Sequence, residues 1–169
     1  MARKDEKENP AQPGGCIAVI RIRGRSTTSR GVEETLLFMN LSRKNHATIL
    51  PADAISAGMV RKAKDFITWG TPSGKAVAEL LAKAGKTADG KPLTDAYVKE
   101  KAGFASIEEL AEQLHSGKAR LSSAKSVKPV FRLHPPKGGF GSIKRAFPKG
   151  ALGRRVTADI EKLIFSIEG

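Results

Sequence analysis

The segment Cys16-Ile17-Ala18-Val19-Ile20-Arg21-Ile22-Arg23 decides the fold of this chain. β-Branched residues dominate it, and its second half alternates apolar with basic residues, which is typical of a strand with one buried face. The alternation predicts that Ile20 and Ile22 face the core while Arg21 and Arg23 lie on the opposite face. We therefore expect a half-buried strand of an antiparallel sheet.

Short periodic segments follow this strand, joined by tight connections. Apolar residues recur at helical spacing from Val32 to Leu41, and Asn45 to Leu50 is typical of a second strand. A second helix, capped by Asp53 or Ser56, precedes a third short strand at residues 66–69. Together these segments predict an α+β fold with the order β-α-β-α-β over residues 16–70. We expect a small antiparallel sheet with helices on one face.

The rest of the chain divides into three segments by composition. Residues 1–15 are charged and rich in proline and glycine, which indicates a disordered tail. Residues 71–117 show helical periodicity, with a capping box that begins at Ser106, and predict an all-helical insertion. Residues 118–169 predict an edge strand, a basic extended loop and a closing helix from Thr157, packed on the core.

Charge is distributed unevenly along the chain. The 169 residues carry a formal net charge of +13, and the sequence pI is about 10.1. From Gln113 to Ala158 there is no Asp or Glu, and the same span holds eleven Lys and Arg residues. Such a span repels itself unless a polyanion neutralises it, so we expect it to meet nucleic acid. Aromatic residues make up only 5% of the chain, which favours phosphate and shape contacts over repeated base stacking.

Several other functions find no support in the sequence. It has no apolar run long enough for a membrane helix and no apolar centre of a signal peptide, which predicts a cytoplasmic protein without membrane contact. The single cysteine, Cys16, excludes an internal disulfide and a multi-cysteine zinc site. His46, His115 and His134 stand far apart, so we expect no metal, no cofactor and no catalytic residue. Gly70 to Ala76 lacks the hydroxyl residue of a nucleotide-binding loop.

The basic loop after residue 133 has a composition suited to close contact with phosphates. Pro135 and Pro136 hold the chain extended, and Gly138 and Gly139 leave room for backbone amides to approach phosphate oxygens. Phe140 has two interpretations with equal support: it stacks on a base or sugar, or it packs at the base of the loop.

Two further basic clusters lie in the first half of the chain. Arg23, Arg25 and Arg30 follow the first strand, and for them we favour RNA contact over a solvated surface. A cluster of four residues, Arg43, Lys44, Asn45 and His46, follows the first helix. For this cluster, RNA contact and a solvated turn have equal support.

Two motifs carry a family resemblance. The first is Gly58-Met-Val-Arg-Lys-Ala-Lys-Asp-Phe-Ile-Thr-Trp-Gly70, and the second, after the helical insertion, is Phe131-Arg-Leu-His-Pro-Pro-Lys-Gly-Gly-Phe140. Together they resemble the archaeal form of the large-subunit ribosomal protein family numbered thirty, whose eukaryotic relative is numbered seven. The resemblance covers residues 16–168, and the Arg-Leu-His-Pro-Pro-Lys-Gly-Gly run is its most specific part.

The resemblance implies a core related to the ferredoxin-like fold and a structural, non-enzymatic constituent of the large ribosomal subunit. Such a protein binds and bridges large-subunit rRNA near 5S rRNA and contacts neighbouring ribosomal proteins, with no DNA or membrane partner. A non-ribosomal RNA chaperone and a ferredoxin-like domain that binds an anionic metabolite are the alternatives. The predicted RNA-binding residues are Arg23, Arg25, Arg30, Arg43, Lys44, Arg132, His134, Lys137, Gly138, Gly139, Phe140, Lys144, Arg145, Lys149, Arg154 and Arg155.

Overall fold

The structure is a computed structural model that describes residues 15–26, 28–121, 126–136 and 138–167. The predicted α+β class and the predicted order of the first five elements are both confirmed. The predicted disordered tail lies outside the described residues, except for Gly15. The elements are β1 (Cys16–Arg21), α1 (Arg30–Phe38), β2 (His46–Pro51), α2 (Ala54–Ala63), β3 (Ile67–Gly70), α3 (Gly74–Ala84), α4 (Asp95–Tyr97), α5 (Ile107–His115), β4 (Phe131–Arg132), β5 (Gly153–Arg154) and α6 (Thr157–Ile167).

The strands form one five-stranded sheet in the order β4-β2-β1-β3-β5. β1 lies at its centre, with Ile20 opposite Ala47 of β2 and Thr68 of β3, in antiparallel pairing on both sides. Two short C-terminal strands complete the edges: β4 pairs antiparallel with β2, and β5 pairs parallel with β3. The three strands of the predicted core are therefore the middle of a wider, mixed sheet.

β1 is buried on both faces, so the prediction of a half-buried strand is wrong. On one face, Ile17 and Val19 pack against α1 and α2 through Leu36 and Val60. These two helices are the ones predicted to cover one face of the small sheet. The strand pattern predicted which residues share a face, but it could not show that the second face is also covered.

The opposite face of the sheet is covered by the middle and the end of the chain. Ala18 and Ile20 join a core cluster with Leu80 of α3, Leu110 of α5 and Ile160 of α6. The segment predicted as a helical insertion therefore supplies, together with α6, the core on the second face of the central strand. A π-helical turn (residues 98–102) extends α4. None of the described helices is long and apolar enough to cross a membrane.

Arg21 is the residue whose surroundings differ most from the prediction. It lies on the face opposite Ile20, as the alternation predicts, but its side chain is 0% exposed because α1 covers that face. Its Nη2 donates to Glu33 Oε2 at 2.9 Å, and its Nη1 donates to the Leu41 carbonyl at 2.7 Å. Its Nε donates to the Arg23 carbonyl at 2.9 Å. A buried charge is tolerated here because an opposite charge and two carbonyl groups satisfy it.

Helix caps position the segments around the sheet. The capping box at Ser106 is confirmed: the Glu109 N–H donates to Ser106 Oγ at 3.2 Å, at the start of α5. Asp53 is the N-cap of α2, as predicted, but its side chain does not cap the helix. Its carboxylate instead accepts from Arg120 Nη2 at 2.7 Å. This ion pair links α2 to the segment that follows α5.

Glu33→Ala is expected to lower the free energy of unfolding by about 3–5 kcal/mol, because it leaves the Arg21 guanidinium buried without its carboxylate. The matched control is Glu34→Ala on the same helix. Glu34 pairs with Arg30, whose side chain is 94% exposed, so its loss is expected to cost less than about 1 kcal/mol. Urea unfolding followed by circular dichroism measures both. Equal, small losses would contradict the role given to Arg21.

Candidate nucleic-acid interface

One end of each of the five strands lies on the same side of the sheet, which we call the basic end of the sheet. β1 finishes there at Arg21 and β4 at Arg132, while β2 begins there at His46, β3 at Ile67 and β5 at Gly153. The loops that leave and enter these strand ends contain most of the predicted RNA-binding residues. Clusters that are far apart in the sequence therefore meet on one side of the molecule.

The basic loop, residues 133–152, connects the two edges of the sheet at the basic end. It leaves β4 at one edge and enters β5 at the other, with three strands between them. At about 4.8 Å between neighbouring strands, the two attachment points lie roughly 19 Å apart. Because both ends belong to the same sheet, the separation of the attachment points is fixed.

The second half of the basic loop is folded on itself by backbone hydrogen bonds. The Ala151 N–H donates to the Ser142 carbonyl at 2.9 Å, and the Leu152 N–H donates to the Arg145 carbonyl at 3.2 Å. Gly150 sits so close to this backbone that a Cβ atom there would lie 2.1 Å from the Arg145 carbonyl oxygen. Only glycine permits this approach, so the loop has a defined conformation.

Three cations project from the folded part of the loop. The side chains of Lys144, Arg145 and Lys149 are all exposed. In the part of the chain that the structure describes, none of the three has a carboxylate partner. Together with exposed Arg154 in β5, they offer positive charge to a polyanion without breaking any ion pair.

The first half of the loop makes a tight turn. The Gly139 N–H donates to the Pro136 carbonyl at 2.8 Å. Gly138 and Gly139 adopt φ angles of 85° and 77°, and a Cβ atom at either would meet no other atom within 4 Å. These positions need glycine for their backbone conformation, and they leave open space above the backbone. His134 is exposed beside this turn, and Lys137 lies outside the described residues.

Two predicted RNA-binding residues of this region have contacts within the protein. Phe140 is half-buried and packs against the core cluster, which supports packing at the base of the loop. The Arg155 guanidinium lies 4.6 Å from the centre of the Phe147 ring, and its Nε donates to Thr68 Oγ1 at 3.0 Å. Its Nη2 also donates to the Ala151 carbonyl at 3.4 Å. Arg155 is thus turned inward and connects the loop to β3.

Arg23 also combines exposure with contacts inside the protein. Its guanidinium lies 4.9 Å from the centre of the Phe66 ring, and its Nη1 donates to the Asp65 carbonyl at 3.2 Å. The residue is half-buried at the basic end. These contacts hold the Arg23 side chain against the residues just before β3.

Arg25 and Arg30 lie on the surface near the start of α1. Arg25 Nε lies 2.9 Å from Glu33 Oε1, and Arg30 Nε lies 3.2 Å from Glu34 Oε1. The two arginine side chains are 71% and 94% exposed. Arg30 and Glu34 are both exposed, so a phosphate can replace the Glu34 carboxylate at small cost. Glu33 is only 14% exposed and also pairs with Arg21, so it keeps a partner if Arg25 turns to a phosphate.

The turn before β2 and the end of β4 bring two predicted clusters together. Arg43 and Lys44 are exposed in this turn, and Arg132 is exposed in β4, directly opposite His46 in the pairing of β2 with β4. The Leu133 N–H donates to the Asn45 carbonyl at 3.0 Å, which extends the pairing into the turn. These cations belong to separate clusters in the sequence, and only the pairing of β2 with β4 shows that they are neighbours.

His46 lies among these cations. It is half-buried, and its Nδ1 lies 3.3 Å from Ser42 Oγ. Burial lowers the pKa of His46 below its ordinary value of 6.5, and the charges of Arg132, Arg43 and Arg21 lower it further. The sequence placed His46 in the cluster with Arg43 and Lys44, where RNA contact and a solvated turn had equal support, but its pairing with Arg132 was not foreseen.

A cysteine–histidine pair, a combination found in reactive sites, lies away from the basic end. Cys16 Sγ is 3.9 Å from Nδ1 of His115. The two residues are 99 positions apart in the sequence, so their contact could not be predicted from it. Burial raises the pKa of the Cys16 thiol from 9.0 to about 11, so the sulfur stays protonated and is a poor nucleophile. Across the described residues, no group of three or more His, Cys, Asp or Glu side chains could hold a metal ion.

Comparison with known proteins agrees with this architecture. The family model described as ribosomal protein L30p/L7e matches residues 17–67. A Nanoarchaeum equitans protein named large ribosomal subunit protein uL30 is 46% identical over 141 residues, which cover 82% of this chain and 90% of that protein. The protein of the same name from Hyperthermus butylicus is 42% identical over 175 residues, covering 96% of each chain. The Archaeoglobus fulgidus protein of that name is 37% identical over 151 residues, which cover 89% of this chain and 99% of that protein.

Arg155→Ala is expected to lower the free energy of unfolding by about 1–3 kcal/mol, because it removes two hydrogen bonds and the contact with Phe147. Arg154→Ala is the matched control at the adjacent, exposed position, and we expect a change below about 0.5 kcal/mol. Thermal and urea unfolding measure both. If the two variants were equally stable, the inward role of Arg155 would be wrong.

Proposed function

The chain belongs to the ribosomal protein L30p/L7e family, and we propose that it is a structural constituent of the large ribosomal subunit that binds large-subunit rRNA. The observation that carries this proposal is the basic loop, which is held at both edges of one sheet and presents Lys144, Arg145 and Lys149 without carboxylate partners in the described structure. Other basic residues from the turns at the same end extend this surface.

The sheet gives the proposed interface its rigidity. Helices cover both of its faces, so the central strand cannot move without disturbing two core clusters. The edges of the sheet fix the two ends of the basic loop. Cations on opposite sides of the basic end are thereby held at a set separation, which suits contact with two RNA segments rather than one.

The proposed RNA contacts fall into two groups. In the first group, side chains without a carboxylate partner in the described structure neutralise phosphates directly, and the backbone amide of Gly138 approaches a phosphate oxygen. The Gly139 amide already donates to the Pro136 carbonyl. In the second group, Arg25 and Arg30 exchange a carboxylate for a phosphate. The cations of the first group are Arg43, Lys44, Arg132, Lys144, Arg145, Lys149 and Arg154.

The proposal includes no catalysis. The buried Cys16 thiol is protonated at neutral pH, and its neighbour His115 is on the surface. The relatives carry the name of a ribosomal protein. We also keep as part of the proposal a position near 5S rRNA and contacts with neighbouring ribosomal proteins, as the family resemblance implies. Crosslinking of assembled subunits would test both of these.

Replacing Lys144, Arg145 and Lys149 together by alanine should weaken binding to large-subunit rRNA about 100-fold at about 0.15 M salt, because roughly three phosphate contacts are lost. The slope of log affinity against log salt should fall by about three. The melting temperature should remain unchanged, since all three side chains are exposed. Filter binding across a salt series, with thermal unfolding in parallel, provides the measurement.

The matched control replaces Lys75, Lys99 and Lys101, three exposed lysines of the segment between β3 and α5, by alanine. This variant loses the same charge but should keep most of the affinity. Sedimentation of cell lysate completes the test: the protein should move with large subunits through a moderate salt wash. Recovery only in the soluble fraction would exclude the proposal and favour the chaperone or the metabolite-binding alternative.

A further inference from the structure

His46 occupies a distinct position within the basic end. It begins β2, Arg132 lies opposite it on β4, and Arg43 stands in the turn just before it. Two separate elements therefore bring cations next to one half-buried histidine. The backbone also joins the turn to the strand, since the His46 N–H donates to the Arg43 carbonyl at 3.3 Å.

We propose that Arg43, His46 and Arg132 form a single site for a phosphate diester of RNA, and that its occupation is coupled to the uptake of one proton by His46. This inference rests on the proposed function, because it takes rRNA as the source of the phosphate. It adds a proton-linked residue to the interface. The proton comes from solvent and is returned to solvent when the RNA leaves.

The charges around His46 favour a bound anion. Among the described residues, the charged groups that act on the ring come from three elements, and all are arginines: Arg21 in β1, Arg43 in the turn, and Arg132 in β4. Arg21 is neutralised by Glu33. Arg43 and Arg132 are exposed, and neither has a carboxylate partner in the described part of the chain. An anion bound between them would therefore replace a carboxylate that the protein itself does not supply.

The hydrogen bonding of His46 suits such an anion. Its Nδ1 is 3.3 Å from Ser42 Oγ, so the Ser42 hydroxyl can donate to Nδ1 and fix the neutral tautomer with its proton on Nε2. The Nε2–H group then remains available to a phosphate oxygen. After protonation, Nδ1–H donates to the Ser42 oxygen instead, so the ring keeps both hydrogen bonds in either charge state.

The sign of the proton linkage follows from the two states of the site. In the free protein, burial and the neighbouring arginines hold the pKa of His46 below 6.5. A phosphate in the site supplies the opposite charge and raises that pKa. At pH values between the pKa of His46 in the free protein and its pKa in the complex, RNA binding therefore takes up a proton. The affinity for RNA increases as the pH falls through this window, by up to about tenfold per pH unit.

The binding experiment uses an in vitro transcript of large-subunit rRNA at constant ionic strength, from about pH 5.5 to about pH 8. The wild-type protein should bind at least about threefold more tightly at the acidic end. His46→Gln should remove this pH dependence. His115→Gln, at an exposed histidine away from the basic end, should retain it. Equal slopes for wild type and His46→Gln would overturn the inference.

A second measurement uses the wild-type fold and needs no RNA. Sulfate imitates a phosphate but does not titrate in this pH range, so the His46 ring protons can be followed by NMR in sulfate and in chloride at equal ionic strength. The pKa of His46 should rise in sulfate. The rise should disappear in the double variant Arg43→Ala, Arg132→Ala. No rise in the wild type would refute the site.

The outcomes separate this inference from the proposed function. Tight binding of rRNA with the same affinity at every pH would remove the role of His46 and leave the ribosomal proposal intact. Absence of rRNA binding across the whole pH range would instead contradict the proposed function itself.

Discussion

The buried ion pair between Arg21 and Glu33 is the interaction on which the arrangement of the chain depends. It connects the last residue of the central strand to the first turn of α1, and a further hydrogen bond from Arg21 reaches the Leu41 carbonyl. A charge that is 0% exposed must keep these partners, since water cannot replace them. The pair therefore fixes both the helix and the segment after it, which leads directly to the turn that contains Arg43.

Burial of both sheet faces has a consequence for the location of the binding surface. Helices occupy the two faces, and short strands occupy the two edges, so RNA has access chiefly to the strand ends and their loops. At the end opposite the basic end, the chain enters α3 and α6 after Gly70 and Arg155. The basic end is where loops from all five strands meet, and cations there add their fields over a small area.

The sequence predicted the local structure well, because each signal for it lies within a few residues. The order of the first five elements, the capping box at Ser106 and the closing helix from Thr157 all follow from short-range patterns. Burial of Arg21 could not be predicted, since alternation looks the same whether water or a helix covers the polar face. The inward contacts of Arg155 with Thr68 and the position of His46 opposite Arg132 depend on strand pairing across 86 or more residues.

A basic loop can merely attract RNA, or it can hold RNA in a set position, and its internal order decides between the two. A flexible loop loses conformational freedom when it binds, and this loss weakens the complex. Here, the Ala151 and Leu152 amides already close the loop on itself, Phe140 packs against the core, and Arg155 holds the return strand to β3. In the proposed interface, the inward residues therefore support RNA binding without touching RNA, because they order the loop before RNA arrives.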